Sequence, residues 1–171
     1  MRESDPAVAF LTDLLAGRTP SDLPGDERDG DRALELLRYH GLVGLWYSEA
    51  ASLHGGHVPL DQKAPGWLGL EAEYVGIALH SALVVESAQR ARDILAEAGI
   101  PSLMFKGAAL LQDGTYPDPG ARSMDDGDLL VPRKAAGDGV RALRSSGFEP
   151  WVEWDEVSAA VTSRWARPRG V

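Results

Sequence analysis

Two short stretches hold the residue types that could do chemistry, Lys106-Gly107 and Asp126-Gly127-Asp128. In a strand, residues i and i+2 point to the same side, so Asp126 and Asp128 would set two carboxylates next to each other at a sheet's edge. Like charges that close repel, and neutralising them calls for a cation. Magnesium prefers oxygen ligands and commonly binds one or two carboxylates together with substrate phosphates. A pair of such ions about 4 Å apart activates an attacking oxygen and steadies the leaving one. Lys106-Gly107 supplies the complement. A glycine directly after a strand lets the backbone approach a phosphate, the following helix offers free N–H groups to an anion, and Lys106 adds positive charge. An anion cradle and a metal pair in one unit are a phosphoryl-transfer layout, where catalysis is mostly positioning and charge stabilisation. Asp126-Gly127 is also a hairpin-turn signal, and Asp-x-Asp is common in solvated turns, so spacing alone leaves both readings open.

These residues need elements to position them. Ser102 to Lys106 reads as a short apolar strand, broken by Gly107, with a helix restarting at Ala108. Asp126 to Val131 reads as a second strand ended by Pro132, and Phe148 to Trp154 as a third. Between the last two, Arg133 to Ser146 is a helix with a weak point at Gly137-Asp138-Gly139 and a cap at Gly147. Asp155 to Trp165 reads as a final helix. Upstream the chain is helical. A helix over residues 4–17 uses Ser4 or Asp5 as cap and turns Val8, Leu11, Leu14 and Leu15 to one face. Thr19 to Asp31 reads as an acidic loop, followed by helices over Arg32 to His40 and Val43 to Leu53. His54-Gly-Gly-His57 is a loose turn rather than a metal site. From Leu70 to Ala98 apolar or small residues recur at alternating steps of four and three (Leu70, Tyr74, Ile77, Ser81, Val84, Ala88, Ala91, Leu95, Ala98), one helical face that Gly99-Ile100-Pro101 stops. Its Ala and Ser argue for close packing. The expected fold is α+β, a small mixed β-sheet flanked by helices. Residues 1–98 form an N-terminal helical region and 99–171 an α/β core, packed as one unit.

Bulk composition narrows the classes. Hydrophobic residues make up 44% and charged residues 25% of the 171, a normal globular balance. The net charge of −9 disfavours non-specific nucleic-acid binding, which needs a basic surface. With no cysteine, disulfides, iron–sulfur clusters and thiolate metal sites are excluded. The acidic N-terminus does not read as a secretory signal, no apolar run is long enough to span a bilayer, and a cytoplasmic location is expected.

The central stretch resembles the uncharacterised nucleotidyltransferase family of the DNA polymerase beta-like superfamily. The resemblance rests on four linked motifs in order: Met104-Phe105-Lys106-Gly107-Ala108-Ala109-Leu110; Tyr116-Pro117-Asp118-Pro119; Arg122 followed by Asp126-Gly127-Asp128-Leu129-Leu130-Val131; and Gly147-Phe148. It extends upstream through residues 33–41 and the long helix, covering roughly 31–148. The resemblance implies that Asp126 and Asp128 bind magnesium, in a two-ion site if the protein is active. It implies that Lys106, Gly107 and Ala108 hold the nucleotide, and that Arg122 contacts phosphate or the aspartates. Ala108 departs from the superfamily's Gly-Ser turn, so a phosphate contact there must come from backbone or from Lys106. Gly127 replaces a usual apolar residue and should loosen the strand.

The expected activity is transfer of a nucleoside monophosphate from an NTP to an unknown acceptor, a small molecule or a protein. The rival is a non-catalytic relative that binds a nucleotide or a partner. The superfamily typically uses a third carboxylate on a later strand. Candidates are Glu149, Glu153, Asp155 and Glu156, with Glu153 best placed, and the chain is expected to stop before the strand that completes the site.

Overall fold

The computed structural model describes residues 5–18, 26–56, 58 and 69–150, and the backbone of 165–166; of Pro150 too only the backbone is described. Its contacts divide the chain into two units, Met1–Ser81 with Tyr116–Ser123, and Ala82–Thr115 with Met124–Val171.

In the first unit, helix α1 (Pro6–Leu15) starts where the Asp5 side chain accepts from the Ala7 N–H at 3.0 Å and Pro6 occupies a position needing no donor. It buries Ala7, Phe10, Leu11 and Leu14, an i, i+3, i+4, i+7 face. Val8 and Leu15, expected on that face, are exposed because they lie at its edge. Helix α2 (Glu27–Tyr39) begins earlier than the expected Arg32. The Asp26 carboxylate accepts from the Asp29 N–H at 2.7 Å, and Glu27 and Asp29 favour the positive end of the helix dipole. Part of the acidic run read as loop is therefore the start of a helix. Helix α3 (Val43–Leu53) lies at its expected limits and buries Val43, Trp46, Tyr47 and Ala50.

Helix α4 (Leu70–Glu97) carries the periodic stripe as expected. Leu70 and Ser81 are fully buried, Ala88, Ala91 and Leu95 nearly so, and Ala98 is exposed just past the end. Its first half packs in the first unit, where Tyr74 and Ile77 border a core formed by α1, α2 and α3. Its second half belongs to the second unit. Gly99, at φ +71°, takes the left-handed turn that stops the helix, and Ile100 N–H donates back to the Leu95 carbonyl at 2.8 Å.

Strand β1 (Leu103–Phe105), helix α5 (Lys106–Gln112), strand β2 (Asp128–Leu130), helix α6 (Ala136–Ser145) and strand β3 (Glu149–Pro150) follow in the second unit. β1 and β2 pair antiparallel, with Leu103 opposite Leu130, Met104 opposite Leu129 and Phe105 opposite Asp128. β3 pairs antiparallel with β4 (Trp165–Ala166) in a separate two-stranded sheet. The fold class is α+β, as expected, but three expectations change. Among the described residues the third strand does not join the first two. β2 starts at Asp128, leaving Asp126 in the preceding loop. Trp165, read as helical, lies in β4; residues 151–164, and with them most of the expected final helix and the end of the third strand, lie outside the described residues. β1 is also only half buried. Met104 faces a core with Ala88 and Ala108, while Leu103 and Phe105 sit on an open face. A second core joins Ala91, Leu95 and Ile100 to Leu143 of α6 and Phe148. Among the described residues, no helix is long and apolar enough to cross a membrane.

Candidate functional site

The pairing of Phe105 with Asp128 joins the two chemical stretches. Lys106 follows Phe105 directly, and its Nζ lies 3.2 Å from Asp128 Oδ2. The lysine side chain is 60% exposed and the aspartate 26%, so the pair sits at the surface with the carboxylate recessed. Lys106 Nζ also lies 5.8 Å from the centre of the Phe105 ring, a cation–π distance.

The turn before α5 differs from its sequence reading. Gly107 was expected to absorb the break after the strand. Instead Lys106 has φ +54°, the only non-glycine at positive φ among the described residues, and α5 starts at Lys106 itself. For an L-residue this region costs roughly 1–2 kcal/mol. Gly107 and Ala108 are buried, Ala108 within the core beside Met104 and Ala88. A hydroxyl at position 108 would thus start from a core position.

Asp126 is exposed and outside the strand, so the alternation argument for two carboxylates on one side applies only from Asp128 onward. Gly127 was expected to loosen the strand. A Cβ there would meet the Ala88 Cβ at 2.7 Å, so the glycine lets this loop lie against α4. Among the described residues no group of three or more His, Asp or Glu is gathered as a metal site. Glu149 lies in β3 and is exposed. Glu153, Asp155 and Glu156 lie outside the described residues.

Arg122 belongs to the first unit. Its Nη1 donates to the Tyr116 hydroxyl at 3.1 Å, and its guanidinium lies 5.5 Å from the centre of that ring. The Arg122 carbonyl accepts from Ser81 Oγ at 2.8 Å. Its Nε is buried and without a hydrogen-bond partner among the described residues.

The first unit also holds a polar cluster that the sequence reading did not single out. Asp118 accepts from Tyr74 OH at 2.8 Å, from the Gly120 N–H at 2.7 Å, from the Ala121 N–H at 3.1 Å and from Ser48 Oγ. It thereby caps a 3₁₀ turn at Pro119–Ala121 and ties it to α3 and α4. Burial first, then the hydrogen bond and negative charge of Asp118, pushes the Tyr74 pKa up to about 12. Burial likewise raises that of Tyr47, which stacks on Tyr74 at 4.6 Å between ring centres. Gly44 and Gly120 have no room for a Cβ, which would strike the Gly120 carbonyl and the Tyr74 ring respectively. The signal available in sequence was the Tyr116-Pro117-Asp118-Pro119 motif, where an Asp between two prolines suits a turn cap.

In this α+β chain the Lys-Gly turn and the Asp-x-Asp segment meet at one strand pair through Lys106 and Asp128. The model of a family described as uncharacterised nucleotidyltransferase matches residues 26–167, and the chain belongs to that family. No curated protein and no solved structure matches it.

Proposed function

We propose that the chain is a metal-dependent nucleotidyltransferase that moves a nucleoside monophosphate from an NTP to an acceptor hydroxyl and releases pyrophosphate. The observation that carries this reading is the contact between Lys106 Nζ and Asp128 Oδ2 across the β1–β2 pair, which unites the motifs for anion and cation. The donor chemistry fits magnesium: the candidate ligands Asp126 and Asp128 are hard carboxylate oxygens, with no imidazole or thiolate between them. The lysine ammonium at Asp128 already supplies positive charge at this carboxylate. Asp126 and Asp128 would hold the ion, which contributes charge neutralisation at the transferring phosphate. Lys106 would contact the triphosphate by its ammonium, Gly107 and Ala108 by their backbone N–H groups, and Arg122 by its guanidinium. Glu153 is the residue assigned to accept the acceptor's proton. A cytoplasmic location and a small-molecule or protein acceptor belong to the same proposal, and the −9 net charge disfavours acting on nucleic acid non-specifically.

A second reading, a non-catalytic nucleotide- or partner-binding relative, is favoured by one observation: Asp126 lies in the loop before β2 rather than on the strand with Asp128. Pyrophosphate release with each of ATP, GTP, CTP and UTP, alongside thermal shifts with and without magnesium, separates the two. Turnover that Glu153→Gln abolishes supports the enzyme. A magnesium-dependent shift without turnover supports the binder. No shift with any nucleotide rejects both.

A further inference from the structure

We propose that Lys106 is a built-in counter-cation for Asp128 that gives up its place to the divalent ion and delivers its charge to the phosphates, so that metal and nucleotide bind as one unit and metal alone is disfavoured. The proposal rests on the reading of Asp126 and Asp128 as metal ligands.

Geometry is the first ground. Because Phe105 is paired with Asp128, the next residue emerges beside that carboxylate, and its Nζ reaches Oδ2 at 3.2 Å. The second ground is the backbone. Lys106 holds φ +54°, where glycine would be expected, and an outlier of this kind persists only where the surroundings over-determine it. Gly107 and Ala108, buried immediately after it, anchor the turn, so the ammonium can move by side-chain rotation alone. The third ground is mobility. The lysine side chain is 60% exposed, and a surface ion pair of this kind is held weakly enough to exchange.

Charge balance decides where the ammonium goes. Lys106 and Asp128 balance each other as a pair. A divalent ion taken up at Asp128 would repel the lysine and leave it without that partner. A triphosphate arriving with the ion offers the nearest compensating anion. Lys106 therefore opposes the bare ion and favours the ion with its phosphates, and removing the charge should move the two affinities in opposite directions.

The test measures free Mn²⁺ by electron paramagnetic resonance over the whole chain, without nucleotide and then with inorganic tripolyphosphate. Lys106→Gly is the main variant, since glycine adopts the local φ without strain. It should bind Mn²⁺ alone about five- to tenfold more tightly than the parent, and tripolyphosphate in the presence of Mn²⁺ about as much more weakly. Lys106→Met, which keeps the apolar stem, should do the same and covers the case in which glycine loosens the turn. Mn²⁺ affinity that is unchanged or lower in both variants overturns the proposal. Asp128→Asn separates the two levels of failure. If it loses Mn²⁺ while the lysine variants show no gain, the metal reading stands and the counter-cation is wrong. If it binds Mn²⁺ as the parent does, the metal reading fails and the counter-cation fails with it.

Discussion

Asp118 and Asp128 each lie in a segment that carries part of the family resemblance, and the two units use them in opposite ways. Asp118 accepts from two side-chain hydroxyls and two backbone N–H groups, and all its donors belong to the surrounding fold. Among the described residues Asp128 faces a single lysine that is largely exposed and sits on a strained turn. A carboxylate saturated by neutral donors in its own unit is a structural tie, because removing it orphans groups that were desolvated on its account. A carboxylate balanced by one mobile cation can exchange that cation without disturbing the core. The contrast sets the Tyr116–Pro119 motif, tied into its own unit, apart from the Lys106–Asp128 pair at the surface.

The largest effect expected from this division is on binding. Asp128→Asn or Asp126→Asn should abolish magnesium-dependent nucleotide binding in calorimetry. The same variants should shift unfolding free energy by less than about 1 kcal/mol, as for a surface ion pair. Both variants binding magnesium-nucleotide like the parent would remove Asp126 and Asp128 as the site. An unfolded Asp128→Asn would instead place that residue with Asp118.

Asp118→Ala should reverse the pattern. It removes a turn cap and leaves the buried Ser48 hydroxyl, the Tyr74 hydroxyl and the Gly120 N–H short of an acceptor, while the Ala121 N–H keeps the residue-118 carbonyl, a loss of about 3 kcal/mol in urea unfolding. A loss under 1 kcal/mol would show that the cluster is not a tie. Tyr74→Phe is milder, about 1 kcal/mol at neutral pH for one hydrogen bond. Its signature is in the pH dependence. The folded Tyr74 pKa is raised from 10 to about 12, so the tyrosine's contribution is fully present below pH 10 and is lost as pH rises from 10 through 12. Tyr74→Phe should flatten that alkaline decline, leaving the smaller part due to Tyr47. An unaltered alkaline slope would mean that Tyr74 is not the group responsible.

What could be read from sequence follows from how local each feature is. The α4 face was legible because Leu70, Ser81, Ala88 and Leu95 repeat at helical spacing and Gly99 marks the stop. The meeting of Lys106 with Asp128 was legible as two motifs but not as a contact, since strand register depends on both partners. The early start of α2 was hidden because Asp26, Glu27 and Asp29 serve equally as a solvated loop or as cap and first turn. Asp118 was hidden because its partners Ser48 and Tyr74 lie far away in the chain. Asp126 was misplaced because Gly127 follows the demand of Ala88 on α4, a tertiary contact that alternation cannot express.

The smallest expected effect tests the strained turn itself. Lys106→Gly and Lys106→Ala both delete the ammonium, so their difference cancels the ion pair and reports the backbone. Lys106 is the first residue of α5. On helix propensity alone, alanine at an interior helical position would be more stable than glycine by about 0.8–1.0 kcal/mol. At φ +54° the order should invert, because the left-handed region costs an L-residue roughly 1–2 kcal/mol and costs glycine almost nothing. The glycine variant should therefore unfold at higher urea than the alanine variant, by a margin of a few tenths to about 1 kcal/mol. If alanine is the more stable, Lys106 holds an ordinary helical conformation. The side chain would then leave the turn in another direction, and the reach of its ammonium to Asp128, on which the contrast with Asp118 depends, would go with it.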